Sequence, residues 1–278
     1  MWVTELPGED RNTLARRATE IARAALPGVD VEILWDGMWV RRVASDYFPD
    51  PDMFRTAAPD WQRWAGQAAK YLRDADDYWF HVYKPRSGDT IVDIGAGRGE
   101  DVYAFSRAVG PAGRVWAIEP HPVSFAVLGK LCELNRLTNV TRLNYACMDR
   151  TADLQIETLP VWESNFVRRG GPTATSRTVE GLPVDTLLAG RGIEQVDFLK
   201  MNIEGAERLA LPGCELALAR TRHVTIAAHD FRAARGEGAH FRTLDFVRQF
   251  LAAAGFEIAM REDPRYYVPY HVHGTRTG

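Results

Sequence analysis

Between Asp89 and Ala146 the sequence alternates twice between short β-branched apolar runs and amphipathic helical stretches. No other feature restricts the fold as much. "DTIVDIG" reads as a strand. "EDVYAFSRAVG" reads as a helix with Val102, Phe105 and Val109 on one side and Gly110 at its end. "RVWAIEP" is a second strand, "HPVSFAVLGKLCELN" a helix with Pro122 in its first turn, and "VTRLNYA" a third strand. Strands linked through helices run parallel, so the chain is α/β with a doubly wound sheet. From about 150 to 185 the rhythm breaks. "ADLQIETLPVWESN" and "TSRTVEGLPVDTLL" read as short extra strands joined by "RRGGPTATS". The core resumes with "VDFLKMNI", the strand "RHVTIAAHD" and the helix "TLDFVRQFLAAAG", whose face is Leu244, Val247, Leu251 and Ala254. "FEIAMRE" and "YYVPYHVHG" form a terminal antiparallel pair, which makes the sheet mostly parallel with an antiparallel C-terminal strand.

Two regions follow: residues 1–84, an N-terminal α+β extension, and residues 85–278, the sheet domain. In the extension, "NTLARRATEIARAAL" places Leu14, Ala18, Ile21 and Ala25 on one helical face. "VEILWDGMWVRRVA" reads as a hairpin around a two-residue Asp36-Gly37 turn, "FPDPDMF" as a loop, and "DWQRWAGQAAKYLRDADDYWFHVY" as mostly helix with Asp60 as N-cap. A net charge of -3 gives no electrostatic argument for nucleic acid or an anionic membrane. No apolar run approaches the length of a membrane helix, and the first residues lack the layout of a secretory leader. Three scattered cysteines without a CxxC argue against a disulfide framework, so a cytoplasmic location is expected. A homo-oligomer is compatible with the sequence.

"IVDIGAGRGEDV" sits where the first strand meets its helix. Gly95, Gly97 and Gly99 allow a sharp turn and a close ligand approach, with Ala96 and Arg98 between them. The spacing is G-x-G-x-G, whereas a dinucleotide fingerprint reads G-x-G-x-x-G. Glu100 and Asp101 in the first helical turn would repel a pyrophosphate. Asp93, just before the glycines, suits a ligand carrying an ammonium group, as S-adenosylmethionine does. Glu119 ends the second strand, followed by Pro120, where an acid accepts both hydroxyls of an adenosine ribose. Adenine belongs near the loop after the third strand, at Asn144, Ala146, Cys147 and Asp149, with Cys147 read as a small wall.

The strand "VDFLKMNI" delivers Asn202 and Glu204 to the same end of the sheet. Helix capping by Asn202, Glu204 or Glu207 is the competing explanation. Lys200 belongs at the rim or pairs with a strand neighbour.

Together "VDIGAGRGEDV", "AIEPHP", "VDTLL" and "VDFLKMNIEGAE" resemble the FkbM family of S-adenosylmethionine-dependent methyltransferases. That family's last motif, D-x-x-K-x-D-x-E-G-x-E, is met at Asp197, Lys200, Glu204, Gly205 and Glu207. Asn202 stands where aspartate is usual. The likeness spans residues 85 to 260. It implies a class I methyltransferase (Rossmann-like) fold with a seven-stranded sheet, and O-methylation of a hydroxyl on a small molecule, natural product or sugar.

A hydroxyl acceptor generally needs a proton acceptor within hydrogen-bond reach. His229, ending the next strand, has an ordinary pKa of about 6.5 and is the first candidate base. Glu204 is the second, with Asn202 positioning the acceptor or the cofactor's amino-acid end. Trp61, Trp64, Tyr71, Tyr78, Trp79, His81 and Tyr83 either lid the crevice, stacking on a small-molecule or glycan acceptor, or pack as core. His271 and His273 share a strand face, but no third metal ligand is nominated, and no metal is expected to be required. A magnesium-dependent sugar O-methyltransferase using Glu204 and Asp230, a non-catalytic cofactor-binding protein and an NAD-linked oxidoreductase stand as alternatives.

Overall fold

The computed structural model describes residues 3, 8–54, 59–158, 167–168 and 171–277. Residues 169 and 170 of the linker expected between the two extra strands, and residues 159–165 of the first of those strands as read from sequence, lie outside them.

The extension starts with a helix, Arg11–Ala25, capped by Asp10, whose carboxylate accepts from the Asn12 and Thr13 amides. Its buried face is Leu14, Ala15, Ala18, Thr19 and Ala22. Ile21 and Ala25, expected inside, are exposed. Thr19 sets this rotation, because its hydroxyl accepts from the Ile33 amide at 2.9 Å. Three antiparallel strands follow, β1 (Val31–Trp35), β2 (Trp39–Val43) and β3 (Asp46–Pro49). Trp35 pairs with Trp39, so Asp36, Gly37 and Met38 form the turn, one residue longer than the expected hairpin. β3 takes the start of the segment read as a loop. Asp60 caps the helical stretch Trp61–Ala65 as expected. Gln67–Asp74 continues it, and a π-helical turn, Ala75–Trp79, closes it.

The sheet domain begins with β4 (Thr90–Ile94), the helix Glu100–Val109, β5 (Arg114–Ile118), the helix Pro122–Leu134 and β6 (Val140–Leu143). The third strand ends earlier than its apolar pattern suggests. Ala146–Cys147 leaves the core sheet as β7 and pairs with an inserted sheet made of β8 (Ala152–Glu157), β9 (Val167–Arg168) and β10 (Ser176–Leu182). "PVDTLL" is a helix, Val184–Ala189, not the end of a strand, because Pro183 stops β10 and starts the helix. The core resumes with β11 (Val196–Met201), β12 (Thr221–Ala227), β13 (Phe256–Ala259) and β14 (His271–Arg276).

Among the described residues the core sheet has seven strands in the order β13-β14-β12-β11-β4-β5-β6. β12 to β6 run parallel, and β14 is antiparallel to both its neighbours. This is the expected α/β class I methyltransferase architecture. β11 is buried on both faces, as a central parallel strand must be. The carboxyl ends of β4, β5, β11 and β12 therefore meet at one edge. The extension packs on the helices Glu100–Val109 and Pro122–Leu134, joining Phe48 and Tyr71 to Tyr103 and Leu131 in one apolar cluster.

Candidate functional site

The glycine loop is strung between two strand ends. The Gly95 and Ala96 amides both donate to the Ile118 carbonyl, at 2.9 and 3.0 Å, and the Asn202 amide donates to Ile94 at 2.9 Å. Gly95 has φ +80°, and a Cβ there would lie 2.0 Å from the Asn202 carbonyl oxygen. Only glycine fits. Glu119 accepts from the Gly97 amide through Oε2 and from the His121 amide through Oε1, both at 2.8 Å. Burial pushes its carboxyl up to about 7, against those two donors. Asn144 braces the same turn, donating to the Glu119 carbonyl at 2.7 Å.

Of the residues nominated from sequence, Gly95, Ala96, Gly97, Arg98, Glu119, Pro120, Ala146, Cys147, Asn202 and Glu204 line one cleft. Asp93, Gly99 and His229 do not. Asp93 is fully buried with Lys200 Nζ 2.9 Å from its Oδ1, so a lysine of this chain already faces it where a ligand ammonium was expected. Gly99 instead lets the helix Pro122–Leu134 approach: a Cβ there would sit 2.7 Å from Leu131 and 2.8 Å from Leu128. Arg98 pairs with Asp52 at 2.6 Å, tying the loop to the extension. Burial pushes the Cys147 thiol far up, which suits a wall and not a nucleophile.

Lys200 answers why a buried strand carries a charge. It reaches Asp93, its register partner on β4, and lies 3.2 Å from Asp101 and 2.9 Å from the Gly95 carbonyl. Burial opposes its charge, but Asp93 and Asp101 outweigh that and raise its pKa. Beyond it, Asn202 Oδ1 is buried and has no partner among the described residues.

His229 is not the free base expected from sequence. It is 3% exposed and clamped, with Nδ1 3.0 Å from Glu207 and Nε2 3.1 Å from Glu204. Burial disfavours its charge, yet Glu207 and Glu204 override that and push it up to about 10. An imidazolium with both nitrogens engaged donates; it cannot accept a proton. Glu204 is the member of this set that meets the cleft, with its side chain 21% exposed. It holds φ +54°, uncommon for a residue with a side chain, and is fixed by His229 and by Arg232 at 2.6 Å. Burial would raise its carboxyl, but the two cations leave it below the usual value.

The cleft also takes in Asp101, His121, Ser124, Tyr145, Ile156 and Val167, which the sequence reading did not nominate as site residues. His121 and Tyr145 sit beside nominated positions. Ile156 and Val167 belong to the inserted sheet, whose return over the cleft leaves no local signal.

Of the aromatic residues nominated in the extension, Tyr71 and Trp79 are buried in the core, Trp61, Trp64, Tyr78 and Tyr83 are half-buried and His81 is exposed. Tyr71 packs edge-on to Phe48 and Tyr103, Trp79 stacks on His271 at 4.9 Å, and Tyr83 stacks on His223 at 3.9 Å. None of Trp61, Trp64, Tyr71, Tyr78, Trp79, His81 and Tyr83 is among the described residues lining the cleft. His271 and His273 are both buried, and burial pushes them down to about 3 and 4. Their rings stand at 89° to each other. Among the described residues no three His, Cys, Asp or Glu side chains converge on a metal position. Asp230, nominated for magnesium, instead accepts from the Thr243 and Leu244 amides at 2.8 Å each. No helix of the described residues is long and apolar enough to cross a membrane.

Residues 93–258, more than half of the chain, match the methyltransferase FkbM domain. The 31-O-demethyl-FK506 methyltransferase FkbM of Streptomyces tacrolimicus is 28% identical over 220 residues, covering 68% of this chain and 80% of that protein. A shorter stretch of 81 residues is 32% identical to the AMB antimetabolite synthetase AmbE of Pseudomonas aeruginosa, covering 29% of this chain and 4% of that one. The fold superposes on the crystal structure of methyltransferase FkbM from Methylobacillus flagellatus KT with a TM-score of 0.50 at 17% identity. That match covers 79% of this chain and 56% of the other, so the chain spans just over half that structure's length, and the likeness is one of fold.

Proposed function

The chain belongs to the FkbM methyltransferase family, and from that premise we propose that it methylates a hydroxyl oxygen of a small molecule, a natural product or a sugar. S-adenosylmethionine, the methyl donor of this enzyme class, supplies when bound a sulfonium methyl that is already electrophilic. The residues of the cleft fit it. Glu119 offers a carboxylate at a strand end for ribose hydroxyls, Gly95 turns the loop tightly against the Asn202 carbonyl and brings its backbone to the cleft wall, and Asn202 Oδ1 is a buried acceptor with no partner among the described residues. Ala146 and Cys147 supply a small apolar wall for adenine.

The observation that carries the oxygen acceptor is Glu204, a carboxylate turned into the cleft by an unfavourable backbone conformation and held there by His229 and Arg232. A neutral hydroxyl is a weak acid, but it becomes strongly acidic as its oxygen bonds to carbon. A carboxylate of lowered pKa then suffices to take the proton, and its first task is to aim the hydroxyl by accepting its hydrogen bond. His229 and Glu207 act behind Glu204 as a positioning pair. The test is label transfer from methyl-labelled S-adenosylmethionine to a panel of hydroxylated small molecules, amines and RNA, with and without a chelator. Label on hydroxyl oxygen is expected. Label only on nitrogen or RNA, or cofactor binding without turnover on any acceptor, would reject the proposal.

A further inference from the structure

The cluster behind the glycine loop holds two carboxylates, Asp93 and Asp101, and one ammonium, Lys200. Its charges do not balance: one negative charge is left over at a largely buried place, which is costly unless a cation meets it. Asp93 is fully buried, whereas Asp101 has a side chain 24% exposed and lines the cleft. The surplus charge therefore reaches the cleft through Asp101.

Asp101 is also held in place. Its Oδ1 accepts from the Trp79 indole N–H at 2.8 Å, and its Oδ2 lies 3.2 Å from Lys200. A carboxylate has about four lone-pair positions, so each oxygen keeps room for another donor. Trp79 is fixed in turn. It closes the π-helical turn of the extension, stacks on His271 and accepts from Thr225 Oγ1 through its carbonyl at 3.0 Å. Single π turns inside helices occur often at functional sites.

We infer that Asp101 is the carboxylate that takes the α-ammonium of the cofactor's amino-acid end, and that Trp79 of the N-terminal extension positions it. This rests on the cofactor reading given above. It gives the extension a role: Trp79 braces a residue of the cofactor site from behind, and the extension is not a lid over the acceptor. Asp93, the acid that sequence reasoning would choose, acts through Lys200 instead.

The test is calorimetric titration of the full chain with S-adenosylhomocysteine and, separately, with 5′-methylthioadenosine, which keeps the nucleoside and lacks the amino-acid end. Two variants are compared with the wild type. Trp79→Phe removes only the indole donor and keeps a ring over Lys200 and against His271. Asp101→Asn removes the charge. Each is expected to weaken S-adenosylhomocysteine roughly tenfold or more, the scale of a hydrogen bond to a charged group, and to leave 5′-methylthioadenosine unchanged. A variant that binds S-adenosylhomocysteine like the wild type overturns the inference, as does an equal loss for both ligands. A wild type that binds neither ligand overturns the cofactor reading itself.

Discussion

Replacing His229 by glutamine separates two accounts of that residue. As a free base it would titrate near its ordinary pKa and contribute little to stability. In the structure its ring lies between Glu207, which is fully buried, and Glu204, and these two carboxylates favour the imidazolium. A folded pKa of about 10 against an ordinary 6.5, at about 1.4 kcal/mol per pH unit, corresponds to on the order of 5 kcal/mol. The folded pKa is raised, so this stability is fully present below about 6.5 and is lost as pH rises through 10. Removing the cation also leaves Glu207 buried without a counter-charge, which alone costs about 3 to 5 kcal/mol. These are two descriptions of one interaction and do not add. Urea denaturation of both proteins from pH 6 to 10 should therefore show His229→Gln less stable by about 3 to 5 kcal/mol at pH 7, with the gap narrowing as pH rises. Imidazole carbon shifts in the wild type should titrate well above the ordinary range. A variant within about 1 kcal/mol of the wild type at pH 7, the ordinary cost of a point mutation, or an imidazole midpoint near 6.5, would refute the clamp and restore His229 as a candidate base.

Gly95→Ala forces a side chain into left-handed backbone 2.0 Å from the Asn202 carbonyl. It should destabilise the fold by roughly 3 kcal/mol or more and abolish S-adenosylhomocysteine binding, measured by thermal melting and calorimetry. Glu119→Ala should weaken that ligand by roughly tenfold or more through lost charge-assisted hydrogen bonds; unchanged affinity would remove Glu119 from the ribose site. Glu204→Gln keeps the shape and removes the charge. Turnover should fall by roughly 10²-fold or more while cofactor affinity holds, and a parallel fall in both would assign Glu204 to the cofactor.

Much of the architecture was legible because its signals are local. Apolar periods mark the strands and helices of the sheet domain, and the carboxyl edge of a parallel sheet gathers Gly95, Glu119 and Asn202 whatever the loops do. Partnerships across the fold were not legible. Asp93 precedes the glycines and looks like a ligand group, but its neighbour in register is Lys200 on β11, and Asp101, not Asp93, lines the cleft. His229 follows its strand, where a base is expected, yet Glu204 in the turn after β11 and Glu207 at the start of the short helix beyond it take both its nitrogens. In the first helix, one hydroxyl contact, Thr19 to Ile33, rotates the buried face away from Ile21 and Ala25. In the inserted sheet the two longer strands, β8 and β10, lie in segments read as extra strands, and the largest omission is how that sheet joins the chain. Ala146–Cys147 carries the apolar character of β6 but pairs with β10, and nothing in the sequence near residue 146 announces a partner at 181.

The account depends most on what the cleft binds, and calorimetric titration of the full chain with S-adenosylhomocysteine, with NAD as the parallel ligand, tests that directly. Saturable binding of S-adenosylhomocysteine and none of NAD is the result the geometry of Gly95, Glu119 and Asn202 predicts. Binding of NAD in preference, or of neither ligand, would contradict it.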